Sequence, residues 1–286
     1  MSEPRYQASD PMPGGETPSP TASGGSADLD QIATRLRLAG CVFAEDEARL
    51  LLASQAPPRE LELMVERRAS GEPLEHILGW AEFCGRKIIV EPGVFVPRRR
   101  TEFLVEQAAT FALPGAVVVD LCCGSGAISA ALLARALEVE LYAADIDPTA
   151  VRCARRNIGS GGRVCQGDLY QALPDEIAGR VDLLLCNAPY VPTEDIAFMP
   201  GEARLYEPMT ALDGGPDGLD VQRRVVAEAP RWLAAAGHLV IETSRSQASS
   251  TAATLELAGL VATLARSDDL DATVAIGRKP GPSLRP

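Results

Sequence analysis

An α/β protein built on a mostly parallel sheet of seven strands is the fold this sequence predicts, and three observations predict it. From about residue 100 onward, short apolar strands alternate with amphipathic helices. The clearest strands, Ala116-Val117-Val118-Val119 and Val181 to Cys186, are apolar along nearly their whole length, as strands covered by helices on both faces must be. Acidic, glycine and amide residues then gather at the carboxyl ends of these strands, where such sheets bind ligands.

The elements follow in order. Residues 1–27 are dominated by Pro, Gly, Ser, Thr and Ala without apolar periodicity, which reads as a disordered tail. Helical spacing begins with Leu29, Ile32 and Leu36 and closes at Gly40. A second helix spans about 45–54, and Pro57-Pro58 opens a third, with Leu61, Met64 and Val65 on its apolar side and Gly71 and Pro73 beyond its end. These make a helical amino-terminal domain over 28–74. Residues 75–98 read as a linking β-hairpin, with β-formers Phe83, Ile88, Ile89, Val90, Val94, Phe95 and Val96 interrupted by Gly85 and Pro92-Gly93. The α/β domain takes 99–280, and 281–286 form a carboxyl-terminal tail. Its helix carrying Phe103, Leu104, Ala108 and Phe111 precedes the strand at 116–119. A helix at 127–136, a strand at 139–144, a helix at 148–157 and strands at 163–166 and 181–186 follow. A helix at 219–235, a strand at 238–241, a helix at 246–258 and strands at 260–265 and 272–276 complete it.

Bulk properties narrow the function classes. The 286 residues carry a net charge of -12, which argues against a dedicated nucleic-acid binder and favours a small-molecule or protein partner. Seven cysteines, an odd number with no C-x-x-C, suit a reduced cytoplasm. His76 and His238 lie near no paired cysteines, so no metal is expected. No secretory signal and no membrane span is legible.

The strand ending at Val119 runs into Asp120-Leu121-Cys122-Cys123-Gly124-Ser125-Gly126-Ala127. Its Gly-x-Gly lets the backbone approach a ligand where the next helix starts; with Ser129 in the third glycine position it is not the dinucleotide fingerprint. The second strand ends at Asp145, followed by Ile146, and a carboxylate there can accept both hydroxyls of a ribose. Asp147 is read as the cap of the helix at Pro148. The third strand ends in Gly167-Asp168-Leu169, a carboxylate for an adenine amine and an apolar side chain for its ring. Three acidic strand ends with Gly-x-Gly after the first suit a nucleoside bearing a cationic amino-acid tail, with Asp120 near the cation.

The fourth strand ends in Asn187-Ala188-Pro189-Tyr190. Asn187 offers a carbonyl acceptor. Pro189 lacks an N–H and stops ladder pairing, which frees the Ala188 carbonyl. Two adjacent acceptors can hold a planar –NH2 group, and Tyr190 can stack on it. A nitrogen held this way can attack an electrophilic methyl group in line, by positioning and electrostatics and without histidine.

These residues resemble the HemK-type family, the N5-glutamine methyltransferases of peptide-chain release factors. The resemblance covers about 72–245 and rests on Glu72-Pro73-Leu74, His76-Ile77-Leu78-Gly79, Val94-Phe95-Val96-Pro97-Arg98 with Thr101-Glu102, the 120–126 loop, Asn187–Tyr190, Glu207-Pro208, Ala211-Leu212 and Gly214-Gly215-Pro216-Asp217-Gly218-Leu219. It implies a Rossmann-like class I methyltransferase sheet and S-adenosyl-L-methionine as cofactor. It places that cofactor on Cys122, Cys123, Gly124, Ser125, Gly126, Asp145, Leu169 and Asn187, and the substrate amide on Asn187, Ala188 and Tyr190. The chain departs from the family's Asn-Pro-Pro-Tyr at Ala188, from its first loop glycine at Cys122, and from its Pro-Arg-Pro-Glu-Thr-Glu at Arg99 and Arg100. An aromatic often found at position 169 is leucine, and Leu-Glu-Ile-Gly becomes Ile241-Glu242-Thr243-Ser244. Several departures lie on the substrate side and imply a divergent paralogue. The acceptors weighed are therefore a release-factor glutamine, a small metabolite with an amide, amidine or guanidine nitrogen, and an adenine N6. The last would need a basic groove, for which Arg98-Arg99-Arg100 is the sole compact run near the site.

Overall fold

The computed structural model describes residues 24–135 and 138–281. The amino-terminal unit packs four helices, α1 (Gly24–Leu38), α2 (Ala44–Ala53), α3 (Pro58–Ala69) and α4 (Leu74–Leu78), around Leu36, Leu51 and Val65. Helix α1 starts at Gly24, inside the tail expected over 1–27; residues 1–23 of that tail lie outside the described residues. A nucleated helix propagates cheaply into flanking residues. Helix α4 was not expected. It is a single turn between Pro73 and the left-handed Gly79, too short to show periodicity. Arg68 of α3 is buried and pairs with Glu47 at 2.6 Å and with Glu202 of the sheet domain at 2.7 Å.

Strands β1 (Trp80–Phe83) and β2 (Arg86–Ile89) form the hairpin, turned at Cys84-Gly85, both with positive φ. Val94 and Val96 pair with no strand. They cross as extended chain and bury against Ala150 and Cys153.

The sheet domain then runs α5 (Glu102–Ala109), β3 (Val117–Leu121), α6 (Ala127–Leu133), β4 (Glu140–Asp145), α7 (Pro148–Ile158), β5 (Arg163–Gln166) and β6 (Val181–Cys186). It continues with the short helices α8 (Gly201–Tyr206) and α9 (Met209–Leu212), then α10 (Asp220–Trp232), β7 (Leu233–Thr243), α11 (Ala248–Leu257), β8 (Val261–Ser267) and β9 (Ala272–Arg278). The seven strands lie in the order β5-β4-β3-β6-β7-β9-β8, with β9 running opposite to the other six. Separate apolar clusters cover the two faces. The chain leaves β3 towards β4 and β5, then returns to β6, so a crevice opens beyond the carboxyl ends of β3 and β6.

Four boundaries differ from the sequence reading. β3 runs two residues past Val119, so Asp120 pairs within the sheet against Ala143 and Leu185. Helix α6 ends at Leu133, not at 136. α10 stops at Trp232 and β7 begins at Leu233, where an alanine run reads as helix; pairing of Leu233 with Val181 across a bulge overrides that propensity. β7 also extends to Thr243, which carries Glu242 to the strand end beside Asn187.

Candidate active site

A cavity of about 450 Å³ opens in the crevice. Of the residues expected there, Cys122, Cys123, Gly124, Ser125, Asp145, Ile146, Asp168, Leu169, Asn187, Ala188, Pro189 and Tyr190 line it; Asp120 and Gly126 do not. The structure adds Phe83, Phe95, Arg98, Arg100, Thr101, Met199 and Leu212 from the hairpin, the segment after it and the chain between β6 and α10.

The glycine loop is held from below. Cys123 N donates to Ala144 O at 3.1 Å and Gly126 N to Cys123 O at 2.7 Å. Gly124 N donates to Asp145 Oδ2 at 2.8 Å, while Asp145 Oδ1 accepts from Asp147 N at 2.9 Å. Each oxygen of Asp145 keeps lone-pair capacity towards the cavity, and burial pushes its pKa up. At Gly124, with φ +53, a Cβ would project into open space. At Gly126, with φ +77, it would meet Ala154 Cα at 3.0 Å, so this glycine serves the approach of α6 to α7. Cys122 adopts φ +57 without being glycine, a strain of about 1 kcal/mol. Asp147 caps α7 through Thr149 N at 2.6 Å. Asp168 lines the cavity but its Oδ2 pairs with Arg224 at 2.6 Å.

Asp120 is fully buried. Its Oδ2 accepts from Ser129 Oγ at 2.7 Å, and Oδ1 has no partner among the described residues. Burial above all lifts its pKa from 3.8 to about 7. The folded state therefore holds a proton that the unfolded chain releases between those values. Stability contributed by this group is full in acid and falls as pH rises through about 7. Asp120→Asn is expected to flatten that decline, which melting temperatures of the two proteins between pH 5 and about 8 will show.

The acceptor end is built around β6. Asn187 Nδ2 donates to Thr101 Oγ1 at 3.2 Å, which leaves its carbonyl oxygen for the cavity. The Ala188 carbonyl accepts no hydrogen bond among the described residues, and Pro189 after it has no N–H to donate to a ladder. Tyr190 OH donates to the buried Glu242 Oε1 at 3.2 Å. Gln247 Nε2 ties Tyr190 O to Asp217 O, each at 2.9 Å. Gly214 N donates to Val191 O at 2.9 Å, so the 214–218 turn lies directly against the tetrapeptide. Arg98 grips the buried Glu207 with both contacts inside 2.8 Å. Ser129 and Gln247 escape a sequence reading as site residues, and Thr101 and Glu242 stand in stretches quoted for the resemblance without a role of their own. Glu242 also left a local signal, a charged residue closing the apolar run 239–241 at a strand end.

The chain matches the family described as Methyltransferase small domain over residues 85–207. It is 42% identical over 188 residues to a release factor glutamine methyltransferase of Geobacter sulfurreducens, a match covering 65% of each chain. With the protein of that name from Mycolicibacterium smegmatis the identity is 38%, covering 72% of this chain and 74% of that one. A 4-amino-L-phenylalanine/4-methylamino-L-phenylalanine methyltransferase of Streptomyces pristinaespiralis is 35% identical, covering 84% of each. Among solved structures, a methyltransferase from Pyrococcus furiosus shares the fold, with a TM-score of 0.53 and 15% identity over 78% of this chain and 98% of that one. The sheet, the glycine loop and these matches define an enzyme of the methyltransferase class. Within that class, the chain belongs to the family of the release factor glutamine methyltransferases.

Proposed function

We propose that this enzyme transfers a methyl group from S-adenosylmethionine to the side-chain amide nitrogen of a glutamine in a peptide-chain release factor. The observation that carries this reading is the pair of outward acceptors at the end of β6, Asn187 Oδ1 and Ala188 O, in the same cavity as the Gly124 loop and Asp145. The cavity fits the cofactor: Gly124 leaves room where a Cβ would stand, and Asp145 has free lone pairs for a ribose. Ile146 and Leu169 supply apolar surface for a purine. When bound, S-adenosylmethionine supplies an electrophilic methyl group on a sulfonium.

The chain's own residues do the rest. Asn187 Oδ1 and Ala188 O each accept one hydrogen of the amide –NH2, which fixes its plane and turns its lone pair to the methyl group. Both acceptors also favour the positive charge that grows on nitrogen in the transition state. The nitrogen would take the methyl carbon as that carbon's bond to sulfur breaks, which leaves a neutral thioether, and the nitrogen would shed one proton to solvent. The seven cysteines are unpaired, in keeping with a reducing cytoplasm, and no described helix is long and apolar enough to cross a membrane.

Asp145→Ala is expected to weaken S-adenosylmethionine binding by about 10- to 100-fold, since it deletes two acceptor sites and frees the Gly124 loop. Titration calorimetry checks it, and unchanged affinity would remove Asp145 from the cofactor site. The acceptor is tested with purified release factors and radiolabelled methyl donor: label on glutamine supports the reading, and no label overturns it.

One observation favours a second acceptor. Arg100 lines the cavity and has no carboxylate partner among the described residues. A cation there suits a small amino acid that brings its own carboxylate, the substrate type named for the Streptomyces pristinaespiralis relative. Label recovered in a small-molecule fraction of cell extract instead of on protein would favour it.

A further inference from the structure

We infer that Asn157 is a positioning residue that ties the acceptor wall of the cavity to the cofactor loop, so that S-adenosylmethionine on the loop steadies the hairpin at Ile89. This rests on the reading of the Gly124 loop as the cofactor site. Asn157 sits in the last turn of α7, is half-buried and does not line the cavity. Its side chain meets two separate parts of the chain. Oδ1 accepts from Ile89 N at 2.8 Å, and Nδ2 donates to Ile89 O at 2.8 Å. One amide thus exchanges both bonds with one residue, as a neighbouring strand would, on the edge of β2 that no strand covers. The second hydrogen of Nδ2 goes to Ser125 O at 2.8 Å, inside the glycine loop. These three contacts fix the orientation of the amide: turned over, its oxygen would face the Ser125 carbonyl and its –NH2 the Ile89 N–H.

The two parts that Asn157 holds are the two sides of the reaction. Ser125 is 2% exposed and lines the cavity between the two loop glycines. The loop leans on the same face of α7, since a Cβ on Gly126 would meet Ala154 Cα at 3.0 Å and Ile158 Cδ1 at 3.1 Å. Residues 154, 157 and 158 are neighbours on a helix surface. On the other side, Phe83 of the hairpin lines the cavity, and so do Phe95, Arg98, Arg100 and Thr101 beyond it. That stretch starts from Ile89, and its Val90, Val94 and Val96 pack on Ala150 and Cys153 of α7. Cys153 Sγ also donates to Ile89 O at 2.9 Å, yet makes no hydrogen bond to the glycines or Ser125 among the described residues. Asn157 alone among them hydrogen-bonds both sides. Ser125, restrained when cofactor rests on the loop, holds the amide still. The amide then lets go of Ile89 less often, and the wall keeps a fixed offset from the methyl group.

Asn157→Asp tests this in the full chain, because it keeps the acceptor for Ile89 N and removes both donors. Cys153→Ala is the comparison: it loosens Ile89 from α7 and leaves the bridge to Ser125 intact. Amide hydrogen exchange at Ile89 should slow about 10-fold when S-adenosylmethionine is added to the wild type or to Cys153→Ala, beyond any slowing shared by the β8–β9 ladder at the far edge of the sheet. In Asn157→Asp that extra slowing should vanish, with cofactor saturating by calorimetry. In methyl transfer to a release factor, Asn157→Asp should keep a kcat about 10-fold below wild type at saturating cofactor, and Cys153→Ala should stay near wild type. Full slowing at Ile89 in Asn157→Asp, or a wild-type kcat once cofactor saturates, overturns the inference. So does a wild type that binds cofactor without protecting Ile89, a measurement that stands even if Asn157→Asp fails to fold. If the wild type binds no S-adenosylmethionine, the cofactor reading falls and takes the inference with it. If it binds cofactor but labels no release factor, the glutamine reading falls, and the exchange measurement judges Asn157 independently.

Discussion

Asn187→Ala is expected to lower kcat by about 100- to 1000-fold, with cofactor affinity within a few-fold of wild type. The side chain contributes one of two outward acceptors, and nothing nearby replaces it: the Ala188 carbonyl is the other, and Thr101 presents its lone pairs to Asn187. Its loss removes an interaction that strengthens as positive charge develops on nitrogen, so the effect falls on kcat more than on substrate binding. Single-turnover transfer from labelled donor, alongside calorimetry for the cofactor, separates the two. A variant with full kcat would remove Asn187 from the reaction.

Gly218→Ala should be nearly as damaging, although residue 218 touches no ligand. Gly218 has φ +76, a conformation that costs a residue with a Cβ about 1–2 kcal/mol. Its Cβ would also overlap the Tyr190 carbonyl oxygen and Gln247 Nε2, and stand 3.0 Å from Tyr190 C. Backbone cannot yield as a flexible side chain does. The turn must move away from the tetrapeptide, breaking the bonds of Gln247 to Tyr190 O and Asp217 O. A loss of about 3 kcal/mol of stability and most of the activity is expected. Gly259→Ala is the control. It has φ +81 with nothing within 4 Å of the added Cβ, so it should lose about 1 kcal/mol by denaturant unfolding and keep its turnover.

Much of this was open to a reader of the sequence. Apolar strands such as 181–186 mark themselves because both faces are covered, and polar residues that end them stand where ligands bind. The loop, Asp145 and the 187–190 tetrapeptide were therefore placed in one cavity with no coordinates in hand. Asp120 lies outside the cavity lining, because the end of β3 depends on partners from β4 and β6 that no local pattern shows; two further paired residues bury its carboxyl within the sheet. Gly126 does not line the cavity either; a Cβ there would meet Ala154 of α7, a contact between helices that the loop sequence does not announce. The run 214–219 was recognised as a signature without a cause. The cause is the crossing of two backbones at Gly218 and Tyr190, a contact between segments 28 residues apart that composition cannot announce.

The buried Arg68 has a consequence for how the two parts of the molecule are handled. It anchors α3 to Glu202 at the start of α8; the same short segment carries Glu207, and Glu207 grips Arg98 at the rim of the cavity. Force applied to the helical unit thus has a direct load path to the acceptor mouth, without passing through the sheet. A truncation that begins after residue 74 would keep every group that lines the cavity and yet cut that tether. The amino-terminal helices are in this sense tied, through the buried Arg68, to the chain between β6 and α10.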